Sequence, residues 1–102
     1  MESKDIRLKI LKYLYKMHYS PKLGEFIMVN KMIEGAGLMN IARQDVLAQI
    51  YYLRDKGRIK VRFLTPSYTY DPHGVMISAE GIDEVERQTG WDTAQLPIDY
   101  GL

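Results

Sequence analysis

The sequence predicts an α+β domain that is mostly α: a three-helix core, a β-hairpin and a C-terminal helix. Three observations carry this. From Ile41 the apolar residues Ala42, Val46, Leu47, Ile50 and Leu53 recur at helical spacing up to Gly57. After Gly57 the period changes to two, with Ile59, Val61 and Phe63 alternating with Arg58, Lys60 and Arg62, and Val75-Met76-Ile77 returns as a partner strand. Ser78 then stands where an N-cap belongs, with Glu80 in the first turn of a further helix.

Taken in order, Ser3 caps a first helix, Asp5 lies near its positive end, and Ile6, Ile10, Leu11, Leu14 and Met17 form its apolar stripe until Ser20-Pro21 stops it. Lys4, Arg7, Lys9, Lys12 and Lys16 fill the remaining circumference and read as a solvated face. Glu25 to Val29 is a short strand leading into a helix capped by Asn30; Gly37 suits the left-handed position that closes it, so that Leu38 tucks inward. Asn40 is the N-cap expected for the third helix. At 100° per residue, Gln44, Ala48, Tyr51 and Asp55 point away from its apolar stripe, with Asp45 and Tyr52 on one flank and Arg43 near the other.

Residues 65–74, with two prolines and a glycine, form the loop between the hairpin strands. Ile82, Val85 and Thr89 mark the inner edge of the fourth helix, and Asp83, Glu84 and Glu86 are expected to face water. The domain is placed at 3–89. A tail at 90–102 carries Trp91, Leu96, Ile98 and Tyr100, which are expected to pack on the first helix or across a dimer partner. The other aromatics, Tyr13, Tyr15, Tyr19, Tyr51 and Tyr52, read as half-buried packing residues.

At 102 residues the chain suits one domain. It has no cysteine, which excludes disulfides, thiolate nucleophiles and Cys-based zinc sites. Neither His18 nor His73 has a ligand set around it in sequence. There is no phosphate-binding glycine loop, no His-Glu-x-x-His pair and no nucleophile arrangement. The expectation is therefore no enzyme, no metal and no cofactor. The N-terminus alternates charged and apolar residues, unlike a signal peptide or a membrane span, so a cytoplasmic protein with no membrane partner is expected. The net charge of +1 conceals +3 over residues 1–40, +4 over 41–70 and −6 over 71–102. Such a division polarises the surface.

The order of elements resembles the winged helix-turn-helix domains of small MarR-like and PadR-like regulators. Three patterns carry the resemblance: MIEGAGLMNIARQDVLAQI, with its short helix, Gly-Leu turn and longer helix; Ile50-x-x-Leu53-x-x-x-Gly57-x-Ile59 at the helix-to-strand junction; and Ile77-Ser78-x-x-Gly81-Ile82 at the entry to the last helix. With the flanking helices the resemblance spans residues 5–88.

The resemblance implies that the third helix is a recognition helix, with Asn40, Arg43, Gln44 and Ala48 approaching base edges in the major groove. Arg can bridge guanine O6 and N7, and Gln or Asn adenine N6 and N7. It places Lys31, Tyr51, Tyr52, Arg58, Lys60 and Arg62 at phosphates, and Tyr68, Tyr70 and His73 at the tip of the wing. Residues 65–74 hold no Lys or Arg, so a wing that inserts arginine into the minor groove is not expected, and Asp55 would repel phosphate. The basic residues of the hairpin also guard its edge from pairing with other chains. The implied function is that of a sequence-preferring double-stranded DNA-binding protein, a small transcriptional regulator. It would act as a homodimer through helix 1 and the C-terminal segment. The alternative is a protein-interaction module of the same fold without specific DNA binding.

Overall fold

The first apolar stripe folds as a helix, α1 (Ser3–His18), in the computed structural model, which describes residues 1–18, 25–63 and 72–92. Ile6, Ile10, Leu11 and Leu14 are buried, and Tyr15 joins them. That is deeper than the half-burial expected of the tyrosines. The Tyr15 hydroxyl donates to Glu86 Oε2 at 2.9 Å, the kind of partner a buried phenol requires. Tyr13 and Tyr51 are half-buried as expected. Burial, and secondarily the Glu34 carboxylate, push the Tyr13 phenol above its ordinary pKa. Ser3 is not the cap. It is the first helical residue, and the Glu2 carbonyl accepts from the N–H groups of Asp5 and Ile6.

A two-residue strand, β1 (Ile27–Met28), runs straight into α2 (Val29–Gly35). Met28, rather than Asn30, occupies the N-cap position and makes no side-chain bond there. Tertiary structure supplies one partner instead: Val29 N–H donates to the His73 carbonyl at 2.9 Å, leaving one orphan donor fewer at this end. Leu38 is fully buried, as the turn predicted. The third helix, α3 (Arg43–Asp55), begins later than the sequence suggested, with Ala42 as its N-cap. Asn40 lies outside it, in a turn where Ile41 N–H donates to the Leu38 carbonyl at 3.1 Å. Val46, Ile50 and Leu53 are its buried stripe.

The chain then forms β2 (Ile59–Arg62), β3 (Gly74–Ile77) and α4 (Ala79–Thr89). Among the described residues the molecule is thus α+β and mostly helical, with one antiparallel sheet in the order β1-β3-β2. Ile59 pairs with Ile77, Val61 with Val75, and Ile27 also with Val75, so the apolar residues of all three strands share one face. That face meets α1, which also touches α2, α3 and α4. Strand alternation fails at Phe63. The strand ends at Arg62, and Phe63 is 38% exposed rather than in the core.

A small knot ties the two halves of the fold together. Gly57 turns the chain after α3 with φ of 72°, a conformation that side chains disfavour, and β2 starts two residues later. Ser78 caps α4 as predicted, accepting from Gly81 N–H at 3.1 Å, while its own hydroxyl donates to the Gly57 carbonyl. Ser78 N–H donates to the Arg58 carbonyl at 3.0 Å. One hydroxyl therefore serves both as a helix cap and as the strap to the α3–β2 turn. Ser78→Ala is expected to cost about 2 kcal/mol, the upper end for a lost cap, because the Gly57 carbonyl also loses its donor. Urea unfolding measures this, and a change below about 0.5 kcal/mol would contradict it.

One further expectation needs amendment. Of Asp83, Glu84 and Glu86, all expected to face water, only Asp83 is fully exposed. Glu84 is 17% exposed at its side chain and is held by Arg87, and Glu86 is held by Tyr15. Trp91, the start of the tail, packs on α1: its ring lies 5.8 Å from that of Tyr15, with Lys12 and Lys16 Nζ at 5.6 and 5.0 Å. The expected helix stop at Ser20-Pro21, the wing-tip residues Tyr68 and Tyr70, and the tail from residue 93 onward lie outside the described residues.

Candidate nucleic-acid interface

The outward face of α3 is set by its buried stripe. With Val46, Ile50 and Leu53 inside, the opposite arc carries Gln44, Ala48 and Asp55, all exposed, and half-buried Tyr51. The arrangement predicted for this helix is therefore the one observed. Gln44 stands in the first turn with its amide available for a bidentate bond, and Ala48, one turn on, leaves room for a neighbouring group to approach.

The flanks differ from one another. On the α2 side, Arg43 donates through one Nη to Asn30 Oδ1 at 2.7 Å, so the residue expected to cap α2 instead positions a guanidinium at the start of α3. One of five N–H donors is used, and the rest remain for a ligand. Arg54 lies three turns along this same flank, its guanidinium 4.9 Å from the centre of the Tyr51 ring and paired with Asp55 at 3.1 Å. Sequence reading passed over Arg54. Its angular position beside Arg43 on the helix was the signal.

On the α1 side, Tyr52 is exposed but covered by Arg7, whose guanidinium sits 4.3 Å from the ring centre and donates to Gln49 Oε1 at 2.9 Å. Tyr51 and Tyr52 thus belong to different surfaces.

The residues expected at phosphates also separate. Lys31 on α2 and Lys60 and Arg62 on β2 are exposed, with the Arg62 guanidinium 5.9 Å over Phe26. Lys60 and Arg62 alternate with Ile59 and Val61 and so occupy the sheet face turned from the core. Arg58 does not join them. It is half-buried, donates to the Lys56 carbonyl at 3.0 Å and reaches toward Glu84, with Nε and Oε1 4.0 Å apart. His73 is not at a tip but at the base of the hairpin, where its N–H donates to the Arg62 carbonyl at 2.8 Å. Asn40 is exposed in the turn before α3.

The carboxylates are less promising chemically. Among the described residues no group of three or more His, Asp or Glu side chains is placed to hold a metal ion. Nor, among them, is any helix long and apolar enough to cross a membrane. No protein-family model matches the chain, and neither a curated protein nor a solved structure does. The residues themselves therefore carry the functional argument.

Proposed function

We propose that this chain is a winged helix-turn-helix protein that binds double-stranded DNA with sequence preference, acting as a small transcriptional regulator. The observation that supports it best is the outward face of α3: Gln44 and Ala48 exposed on a helix whose first residue, Arg43, is held ready by Asn30. On this reading α3 lies in the major groove, Arg43 and Gln44 read base edges, and Asn40 meets the duplex at the preceding turn. Lys31, Lys60 and Arg62 neutralise phosphates. A homodimer through α1 and the C-terminal segment would set two α3 helices about 34 Å apart, one turn of DNA.

Selection from a random duplex pool followed by a salt-series shift assay tests this. Gln44→Ala should lower discrimination at one base position by about 1–3 kcal/mol while leaving the salt dependence unchanged. Binding to no duplex at low salt would end the proposal. Light scattering on the same samples reads the dimer.

A second reading has one observation in its favour. Two large apolar side chains of the sheet are open to solvent, Met28 on β1 at 55% and Phe63 after β2 at 38%. Exposed apolar side chains of this size suit a protein partner. Failure to bind any duplex in the assay above, with the fold intact, is the result that would favour this interaction module.

A further inference from the structure

Behind the outward face of α3, the N-terminal half of α1, the last turn of α3, Arg58 and α4 enclose a cleft of about 290 Å³. This is close to the lower end of the ~300–1,000 Å³ typical of small-molecule sites. Four cationic side chains line it: Lys4, Arg7, Lys56 and Arg58. One carboxylate of the lining, Glu84, faces them. Leu8, Leu11 and Leu53 also line the cleft, and the last two are buried beneath it. The site is thus cationic around its walls and apolar at its floor.

Lys4 pairs with Glu2 at 3.6 Å, an ion pair open to solvent on both sides and so weak, and the other cations are not cancelled internally. Glu84 is held by Arg87, whose Nε lies 2.7 Å from Oε2, and its approach to Arg58 is only 4.0 Å. A stronger anion can draw the Arg58 guanidinium away without stranding the carboxylate. Arg7 is fixed in advance by Gln49 and by the Tyr52 ring, so little side-chain freedom remains to be lost on binding. Lys4 and Lys56 are exposed and able to close over a ligand.

We propose that this cleft binds a small phosphate monoester, its dianionic head among the four cations and its apolar body against Leu8 and the Tyr52 ring. The charge argues for phosphate. A monoester carries −1.5 to −2 at neutral pH and offers three acceptor oxygens, whereas a single carboxylate brings half that charge to four cations. Half-buried Leu8 and the exposed Tyr52 ring argue for an organic body, since inorganic phosphate would leave them uncovered, whereas Leu11 and Leu53 are already covered by the protein. Duplex DNA is a poor fit, because its backbone is a convex rod that cannot enter a concavity of this volume. Tyr52 and Arg58, expected at DNA phosphates, thereby acquire a different anion.

The test is amide NMR of the full chain at fixed ionic strength, titrated separately with phenyl phosphate and with inorganic phosphate. Saturable shifts are expected within residues 4–11, 52–58 and 84–88. Phenyl phosphate should bind roughly fivefold tighter than inorganic phosphate, the worth of burying about 40 Å² of apolar surface. The double variant Lys4→Gln with Lys56→Gln, which removes two exposed side chains, should weaken phenyl phosphate roughly tenfold. Equal affinity for the two ligands, or shifts spread over all exposed lysines without saturation, would overturn the proposal. So would displacement of phenyl phosphate by a short duplex that shifts the same amides, which would make the cleft part of the DNA surface. Because the titration contains no DNA, its outcome is separate from that of the duplex assay.

Discussion

Replacing Gly81 with alanine is expected to destabilise the protein by about 3 kcal/mol, a fall of about 12–24 °C in melting temperature for a domain of this size. A Cβ at position 81 would lie 2.0 Å from the Arg58 carbonyl oxygen and 2.7 Å from Ile77 Cγ1. The first of these neighbours is backbone and cannot rotate aside. Relief requires α4 to move off the α3–β2 turn, which also pulls apart the bonds from Ser78 to Gly57 and Arg58. Truncating Ile77 in the same chain should not rescue the fold, because the carbonyl clash persists and a buried side chain is lost as well. A melting temperature within about 3 °C of the parent would show that the junction is looser than this geometry allows.

That junction also explains what was legible in the sequence. Gly57 and Ser78-x-x-Gly81 read as two separate local signals, a helix stop and a helix cap, and each was correct because each depends on one residue's own chemistry. Their meeting in space was not legible, since it depends on β3 returning antiparallel beside β2. The failures have the same origin. Asn30 and Asn40 are good caps by type, yet α2 has a donor satisfied by His73 from across the sheet, and α3 is delayed by the turn at Leu38. Once those bonds exist, no asparagine is required.

Charge was read correctly in sign but not in place. The four cations of the cleft come from α1 and from the turn that follows α3, far apart in the chain, and period alone made Lys4 and Arg7 part of a solvated face. Arg58 and Lys60 are two residues apart, which on one strand would align them; β2 begins only at Ile59, and Arg58 bonds back to the Lys56 carbonyl. The outward face of α3 was legible because helical geometry fixes it once the stripe is known.

The second large effect is expected from neutralising Lys31, Lys60 and Arg62 together, each to glutamine. All three are exposed, and all remain solvated in the absence of DNA, so the fold should keep its melting temperature. If they hold phosphates, the slope of log affinity against log salt should fall by about three, one for each contact, and affinity near 0.1 M salt should drop roughly 100-fold. The ranking of duplex sequences should stay as it was, because phosphate contacts position the protein without reading bases. Gln44→Ala gives the opposite signature, with the ranking changed and the slope kept. An alternative role for Lys60 and Arg62 is open to the same measurement: β2 is an edge strand of the sheet, and charges there keep it from pairing with other chains. In that case the triple variant would keep the parent's salt slope and instead associate as its concentration rises.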